Sequence, residues 1–426
     1  MVKRDLMIKK IDDAVESLEQ TLIDFAVDIF SIPTQNPPGH NYDKCTKAIG
    51  SMMEKMGMEV QYISVPEERL KEVDPDGIGL PRINVVGTLK GESLRPNIHF
   101  TGHYDVVPEG ENWLHAPYGC DIEDGKIYAR GSSDQKSGIV SQIIAIKALQ
   151  EAGIQLKGTV MSSASCDEES GGKGGVGYMV EQGWFHKENT DYCIITECLD
   201  VDKVCLGHRG TVWFDVNIVG KQSHGSMPSQ GINPIEFANR LLNNIKTDIE
   251  PLISEFSPLP INPPECKKTT LTVTMIHAGE KVNTVPPSCK ISFDWRLIPE
   301  LSVAWAKSKI EEVCEKTLKE MPGISYSIKY HLEDNPTLVS SDTEIVNTVL
   351  AAGETFLGKK MEFSVSPGMD DQKYIVHKGG MEQCIVYGPG RLILAHKSDE
   401  YAVIEEMKAA AKIMALTAAQ LLGVVE

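Results

Sequence analysis

The stretch Asn97-Ile-His-Phe-Thr-Gly-His-Tyr-Asp-Val-Val-Pro108 decides the fold class of this chain. It is rich in apolar and β-branched residues and is punctuated by Gly102 and Pro108, which is typical of a strand that ends in a turn. His103 and Asp105 are two residues apart, so they share one face of this strand at its carboxyl end. Because open α/β sheets bind their ligands at the carboxyl ends of strands, the stretch predicts an α/β fold with polar site residues there.

Strands and helices alternate on both sides of this stretch. Apolar, β-rich runs occupy 82–89, 159–164 and 192–196. A helix is predicted over 137–152, since its apolar residues recur every three or four positions, and an amphipathic helix over 12–30. We therefore predict an α/β fold with a central, mostly parallel sheet flanked by helices.

The pattern changes near residue 208. From there to about residue 333 the predicted order is strand, helix, strand, strand, helix, strand, which is the ferredoxin-like α+β order. The α/β pattern then resumes, with a strand at 384–387 and a closing helix. We expect residues 1–207 and 334–426 to form one catalytic α/β domain, interrupted by a ferredoxin-like domain at 208–333.

Composition excludes several classes of protein. The 426 residues include 60 Asp and Glu against 42 Lys and Arg, a formal charge of −18, which argues against binding to nucleic acid. We find neither a run of about 18 apolar residues nor a secretory signal, so we expect no membrane partner. The ten cysteines form no Cys-x-x-Cys pair, which favours buried free thiols in a reducing cytoplasm.

Residue types that bind metal ions follow the predicted strands. Taken singly, each has a simpler explanation: a hydrogen-bonded His103–Asp105 pair, an N-cap at Asp134, and a solvated turn at Asp167-Glu-Glu169. Together they form a set of histidines and carboxylates that comprises His103, Asp134, Glu168, Glu169, Glu197 and His396. Imidazole and carboxylate ligands suit zinc or another late first-row divalent ion. So many acids favour two ions that share a bridging carboxylate.

A glycine-rich segment offers a competing interpretation. Gly172-Lys-Gly-Gly-Val-Gly177 satisfies the Gly-x-Gly-x-x-Gly pattern of dinucleotide-binding proteins, and Glu197 follows at a suitable distance. However, three acidic residues separate these glycines from the strand, and their charge would repel a pyrophosphate. We therefore interpret the glycines as a turn.

The motifs, in order, resemble those of the co-catalytic zinc amidohydrolases and exopeptidases. This family includes acetylornithine deacetylase, succinyl-diaminopimelate desuccinylase, aminoacylase and several carboxypeptidases. The resemblance extends over nearly the whole chain and rests on His103-Tyr-Asp105, Gly131-Ser-Ser-Asp134-Gln-Lys136, Asp167-Glu-Glu169, Thr196-Glu197, Gln222-Ser-His-Gly-Ser-Met-Pro228, Val282-Asn-Thr-Val-Pro286, Asp294-Trp-Arg296 and His396.

The resemblance implies a role for each metal-site position. His103 and Glu197 would hold one zinc ion, Glu169 and His396 would hold the second, and Asp134 would bridge them. Cobalt is a possible substitute. Asp105 would orient His103. Glu168 would take a proton from the attacking water and return it to the leaving amine.

The resemblance also implies that the ferredoxin-like domain is a lid and dimerisation domain of a homodimer. His224 would reach the neighbouring subunit's site and stabilise the tetrahedral oxyanion. Asn283 and Arg296 would bind the free carboxylate of a small-molecule substrate. One departure is Met369-Asp-Asp-Gln-Lys373, where many deacylases of this family have Thr- or Ser-Asp and an Arg after a glycine.

The expected function is therefore that of a dinuclear zinc hydrolase in the cytoplasm. It would cleave the amide bond of an N-acyl amino acid that carries a free carboxylate, by attack of metal-bound hydroxide. A metallo-exopeptidase, either a dipeptidase or a carboxypeptidase, would have the same metal chemistry and is the alternative. An inactive binding relative is a third interpretation, against which the intact metal-site positions argue.

Overall fold

The computed structural model describes residues 2–73 and 79–425, which form two compact units. Unit 1 comprises Met1–Leu206, Val339–Ser364 and Asp370–Glu426, and unit 2 comprises Gly207–Leu338 and Val365–Met369. The division at residues 208 and 333 stays our proposal for the domain limits.

The helices are, in chain order, α1 (Val2–Ser17), α2 (Glu19–Phe30), α3 (Tyr42–Lys55), α4 (Leu70–Val73), α5 (Ser137–Glu151), α6 (Val176–Glu181), α7 (Pro234–Asp248), α8 (Val303–Glu320), α9 (Glu344–Leu357), α10 (Gln372–His377) and α11 (Ile404–Leu422). The predicted helix at 12–30 is instead two helices, because the backbone leaves helical dihedral angles at Leu18 (φ −93°, ψ 5°). None of the helices in the described ranges is both long and apolar enough to span a bilayer.

The strands are β1 (Glu59–Ser64), β2 (Ile83–Leu89), β3 (Asn97–His103), β4 (Asp121–Glu123), β5 (Lys126–Tyr128), β6 (Thr159–Ser165), β7 (Tyr192–Ile195), β8 (Lys203–His208), β9 (Gly210–Val219), β10 (Ser223–His224), β11 (Thr270–Ala278), β12 (Thr284–Val285), β13 (Ser288–Leu297), β14 (Ser325–Asp334), β15 (Thr337–Leu338), β16 (Glu362–Ser366), β17 (Cys384–Val386) and β18 (Tyr401–Val403).

Unit 1 is built on a mixed sheet in the order β1-β2-β6-β3-β7-β17-β8. Its four central strands are parallel, whereas β1, β2 and β8 pair antiparallel. Every residue of β3 and of β6 is buried, as expected for strands with both faces covered. Helix α5 packs on β3 and on α11, and apolar side chains of all three belong to one core. The α/β fold class is confirmed.

Unit 2 contains an antiparallel sheet in the order β11-β13-β9-β14. Helices α7 and α8 pack on it, and Phe214, Phe237, Phe293 and Trp295 lie in its core. In chain order the elements run β9, α7, β11, β13, α8, β14, which is the ferredoxin-like order. Strand β11 is an edge strand and is mostly exposed.

Candidate metal centre

The sheet of unit 1 delivers the predicted metal ligands to one edge. His103 is the last residue of β3, Glu168 and Glu169 follow β6 in a short 3-10 turn, and Glu197 lies two residues beyond β7. Since these strands are parallel, their carboxyl ends lie at the same edge. Asp134 lies in the turn before α5, and His396 lies in the loop after β17.

The imidazole and carboxylate groups converge around Asp134. Its Oδ1 lies 3.3 Å from His103 Nε2, which is also 3.3 Å from Glu197 Oε1. Its Oδ2 lies 3.5 Å from His396 Nε2, which is 3.1 Å from Glu169 Oε2. The two oxygens of Asp134 therefore face two different pairs of side chains.

These separations fit metal coordination. Two ligand atoms that are each about 2.0–2.1 Å from a tetrahedral ion lie about 3.3 Å from one another. Three groups of potential ligands have their donor atoms within 4.8 Å of one another, namely His103 with Glu168 and Glu197, His103 with Asp134 and Glu169, and Asp134 with Glu197 and Cys198. The mixture of nitrogen and oxygen donors suits a late first-row divalent ion.

The hydrogen bonds of His103 also fit a metal ion. Its Nδ1 lies 2.9 Å from the backbone oxygen of Asp105, which can only accept, so Nδ1 carries a proton. In the neutral ring, Nε2 then presents a lone pair to the carboxylate oxygens of Asp134 and Glu197. Acceptors that face one another in a buried site require either a proton or a cation between them.

The pKa shifts of the clustered histidines and carboxylates also favour a bound cation. Burial lowers the pKa of His103, but Glu197 and hydrogen bonds with Asp105, Asp134 and Glu197 outweigh it, so this pKa lies well above its usual value. Burial raises the pKa of Glu169 to about 7, with a further rise from Asp134 and opposition from His396. The hydrogen bond with Glu169 raises the pKa of His396 to about 9. Divalent ions would relieve this crowding of carboxylates.

Glu168 differs from its neighbour Glu169. Its Oε2 lies 4.0 Å from His103 Nε2, farther than the other carboxylates around that ring. Burial raises its pKa well above the usual value; His103 opposes the rise, and Glu197, Asp371 and Glu169 add to it. A carboxylate that holds a proton readily, beside the potential ligands, has the properties of a general base.

Asp105 holds the turn that carries both glutamates. Its carboxylate accepts hydrogen bonds from the backbone N–H groups of Glu168 (3.2 Å) and Glu169 (3.1 Å) and from the amide of Asn36 (2.8 Å). Its Oδ1 also lies 3.5 Å from His103 Nδ1. Asp105 therefore contacts two parts of the site, of which the sequence pattern indicated only His103.

Asp167 is part of a buried ion pair. Arg82 Nε donates to Asp167 Oδ2 at 2.7 Å, and the Tyr42 hydroxyl donates to Oδ1 at 3.1 Å. The side chains of Arg82 and Asp167 are almost fully buried. Burial raises the pKa of Asp167 to about 7, although Arg82 opposes the rise. Asp167 thus anchors the turn, a role that the run of three acids alone did not reveal.

Glu400 is a further site residue that the sequence pattern did not indicate. It is almost fully buried and accepts hydrogen bonds from the backbone N–H groups of Gly131, Ser133 and Asp134 and from Arg130 Nη1. It therefore fixes the turn that presents Asp134. The one available signal was its position four residues after His396.

The predicted residues of unit 2 lie in two places. His224 is exposed in β10, which pairs with β12, so it lies beside Thr284, the neighbour of Asn283. Its Nδ1 is 2.7 Å from Ser226 Oγ. Arg296 lies on β13, where its guanidinium group pairs with Asp294 at 2.8 Å and stacks over Trp213.

The glycine-rich segment Gly172–Gly177 packs against Asp167 and Asp371. A Cβ at Gly172 would lie 2.3 Å from Asp371 Oδ1, and one at Gly174 would lie 2.4 Å from Asp167 Oδ2. Gly172 also has a φ of +75°. These glycines therefore allow a close approach of the backbone to two carboxylates, which supports their interpretation as a turn.

Comparison with known proteins gives consistent similarities. The profile of peptidase family M20/M25/M40 matches residues 99–420. An uncharacterized metallohydrolase of Methanocaldococcus jannaschii is 29% identical over 415 residues, covering 91% of this chain and 96% of that protein. A succinyl-diaminopimelate desuccinylase of Psychromonas ingrahamii is 29% identical over 391 residues, covering 89% and 93%.

The fold is also found among solved structures. An M20 family metallo-carboxypeptidase from Sulfolobus solfataricus superposes with a TM-score of 0.69 at 21% identity, covering 94% of this chain and 98% of its own. The predicted relationship to the amidohydrolases and exopeptidases is confirmed. This chain belongs to peptidase family M20/M25/M40 and is a metal-dependent hydrolase.

Proposed function

We propose that this protein hydrolyses the amide bond of an N-acyl amino acid that carries a free carboxylate, with two divalent metal ions at the Asp134 site. The observation that carries the proposal is the arrangement of Asp134, whose Oδ1 faces His103 and whose Oδ2 faces His396. Zinc is the ion we expect, with cobalt as a possible substitute. The similarity to a desuccinylase supports an N-acyl substrate.

Each site residue has a defined part in this proposal. His103 and Glu197 would hold one ion, Glu169 and His396 the other, and Asp134 both. Bound ions would polarise the scissile carbonyl and lower the pKa of water. Glu168 would take the proton of the attacking water on Oε2 and deliver it to the leaving amine. Asp105 would keep the Nδ1 proton on His103, so that Nε2 remains free to ligate.

Unit 2 would complete the site in a homodimer. His224 is exposed and could stabilise the oxyanion in a neighbouring subunit, while Asn283 and Arg296 would bind the substrate carboxylate. Edge strand β11 exposes Val273, Met275 and Ile276, and it is our proposed dimer contact. We also propose a reducing, cytoplasmic location, which the ten free cysteines support.

A metallo-exopeptidase is the second candidate function. The similarity in fold to a metallo-carboxypeptidase favours it, and the same metal centre and carboxylate-binding residues would serve. The two functions differ only in the group on the acyl side of the scissile bond. A panel of N-acetyl amino acids, N-succinyl amino acids and dipeptides distinguishes them.

Metal dependence is tested by chelation and readdition. We expect dialysis against a chelator to abolish hydrolysis of the best substrate, and zinc or cobalt to restore it. Metal analysis of the active protein should give two ions per chain. Full turnover after complete metal removal would refute the proposal, and one ion per chain at full activity would refute its dinuclear form.

A further inference from the structure

Cys266 is the one cysteine of this chain that the fold leaves partly exposed. The other nine cysteines are buried. Cys266 lies in the short 3-10 turn Pro264–Lys267 of unit 2, and it packs against a small apolar cluster that consists of Ile261, Ile298 and Val365. Cys266 is therefore held by packing and remains accessible to small molecules in solution.

The guanidinium group of Arg209 lies close enough to Cys266 for the two to interact electrostatically. Burial lowers the pKa of Arg209, and the negative charge of an ionised Cys266 opposes this fall. The interaction is reciprocal, because a guanidinium cation near a cysteine favours the thiolate form over the thiol. The thiolate is the form of cysteine that acts as a nucleophile.

Arg209 keeps a hydrogen-bond donor that an acceptor can use. Its side chain is almost fully buried, and Nη2 donates to the backbone oxygens of Lys268 (3.0 Å) and Arg296 (3.2 Å), which fixes the guanidinium group. Among the residues that the structure describes, Arg209 Nε has no hydrogen-bond partner. A buried donor without a partner is unfavourable, and a thiolate at Cys266 is a charged acceptor that would relieve it.

Positive side chains outnumber negative ones around Cys266. They are Arg209, Lys267, Lys268 and Arg296, against Glu265 and Asp294. The chain as a whole has a formal charge of −18, but charges farther away than about 8 Å are largely screened at physiological ionic strength. The local excess of positive charge therefore favours a reagent that carries carboxylates.

A metal ion is the weaker choice of ligand for this thiol. Within the ranges 2–73 and 79–425, no group of three ligating side chains close enough to hold an ion includes Cys266. A covalent partner needs no such group, since one accessible thiolate is sufficient for exchange with a disulfide.

We propose that Cys266 is a site of reversible mixed-disulfide formation with low-molecular-weight disulfides that carry carboxylates. The Cys266 thiolate attacks one sulfur of the reagent and forms a new S–S bond as the reagent's own S–S bond breaks. The other half leaves as a thiolate and takes up the proton that Cys266 released. Cys266 is thereby oxidised and the leaving half is reduced, so no further oxidant is needed. A free thiol reverses the reaction.

Labelling of the native, metal-containing protein tests the site, and it does not depend on the proposed function. We expect oxidised glutathione, in which carboxylates outnumber amines, to add one glutathione per chain and dithiothreitol to remove it. Intact-mass spectrometry counts the adducts, and peptide mapping should locate them on Cys266. Cys266→Ser should take up none, whereas Cys314→Ala, which removes a buried thiol of the same unit, should take up one. An adduct on another cysteine, or none at all, overturns the proposal.

Two disulfides of opposite charge test the preference for carboxylates. Each rate is divided by the rate of the same reagent with N-acetylcysteine amide, and we expect oxidised glutathione to exceed the cationic disulfide cystamine by about 10-fold. Substituting both Lys267→Gln and Lys268→Gln should reduce this ratio to below about 3-fold. Lys246→Gln, at an exposed lysine elsewhere in unit 2, should keep the full ratio. Equal relative rates for the two reagents in wild type overturn the preference.

The contribution of Arg209 is measured with the neutral reagent 2,2′-dithiodipyridine, which removes long-range attraction from the comparison. We expect Arg209→Gln to slow the reaction of Cys266 by about 10-fold, and Arg209→Lys, which keeps the positive charge, to retain most of the rate. A folded Arg209→Gln variant that reacts as fast as wild type would refute activation by Arg209. If Arg209→Gln reacts at more than one cysteine, it has unfolded, and the labelling and the two charged reagents decide the proposal.

Discussion

The carboxylate of Glu400 accepts a hydrogen bond from the backbone N–H group of Asp134 at 2.9 Å. Through Glu400, the loop that provides His396 also fixes the turn that provides Asp134. Two potential metal ligands from distant parts of the chain are thus held by one short segment. The geometry of the centre depends on this buried glutamate as well as on the ligands themselves.

We expect Glu400→Gln to weaken metal binding about 10- to 100-fold. The NH2 group of the glutamine side chain is a hydrogen-bond donor, and it would face the backbone N–H groups that donate to Glu400 in the wild type. Competition with a chromophoric chelator measures the dissociation constant. Glu92→Gln removes an exposed carboxylate of the same unit and should leave it unchanged. Wild-type affinity in Glu400→Gln would show that the turn holds its shape without this carboxylate.

Glu168→Gln and Glu169→Gln form a matched pair of neighbouring substitutions. We expect Glu168→Gln to retain both ions and to lose about 10²- to 10⁴-fold in kcat, because only proton transfer is removed. Glu169→Gln should lose metal, since Glu169 Oε2 lies 3.1 Å from His396 Nε2. Metal analysis and turnover are measured on the same samples. The assignment of the general base is wrong if both variants lose metal to the same extent.

The proposed dimer contact is tested on β11. We expect Met275→Lys to weaken the dimer by about 10-fold or more, since Met275 is half exposed on an edge strand and a lysine there opposes strand pairing. Light scattering after gel filtration gives the molar mass. Leu252→Lys changes a similarly exposed residue of unit 2 away from this strand and should have no effect. A monomeric wild type would exclude the dimer.

The proposed role of His224 in the site of the neighbouring subunit is tested by substitution and by mixing variants. His224→Ala should lower turnover and leave metal content intact, because His224 lies in unit 2, outside the metal centre. If His224 acts in a neighbouring subunit, mixing this variant with Glu168→Gln should restore part of the activity in heterodimers that contain one intact site. Mixtures with no more activity than their components would argue that His224 acts within its own chain.

His99 makes stability depend on pH in the acid range. It is fully buried and lies 2.9 Å from Ser163 Oγ, and burial lowers its pKa to about 3. Between about pH 6.5 and pH 3 the unfolded chain binds a proton at His99 that the folded chain does not, so stability falls as pH falls. The loss is at most about 1.4 kcal/mol per pH unit within this window.

His99→Gln should remove this loss. Calorimetry of the metal-free proteins from pH 7 to pH 4.5 should show wild type losing thermal stability faster than the variant as the pH falls. His40→Gln, at an exposed histidine, should follow wild type. Parallel curves for wild type and His99→Gln would mean that His99 is protonated to the same extent in the folded and unfolded chains.

Sequence patterns predicted much of the fold because they report local structure. A run of apolar and β-branched residues bounded by glycine and proline indicated β3, and helical spacing of apolar residues indicated α5. The strand–helix order after residue 208 indicated the ferredoxin-like arrangement of unit 2. The metal-ligand candidates were also evident, since His103 ends a buried strand and Glu169 and Glu197 each follow one. The break at Leu18 between α1 and α2 was missed, because the apolar pattern continues through it.

What the amino-acid sequence determined was the set of strands and helices and the chemical character of the residues at their ends. Only the tertiary structure decided which of those residues meet. The sheet order brings β6 beside β3 and β17 beside β7, and loop closure places Glu400 on the Asp134 turn and Asp371 on Gly172. Periodicity extends over a few residues, whereas these contacts join residues as much as 266 positions apart, so their pairing depends on the packing of the whole unit.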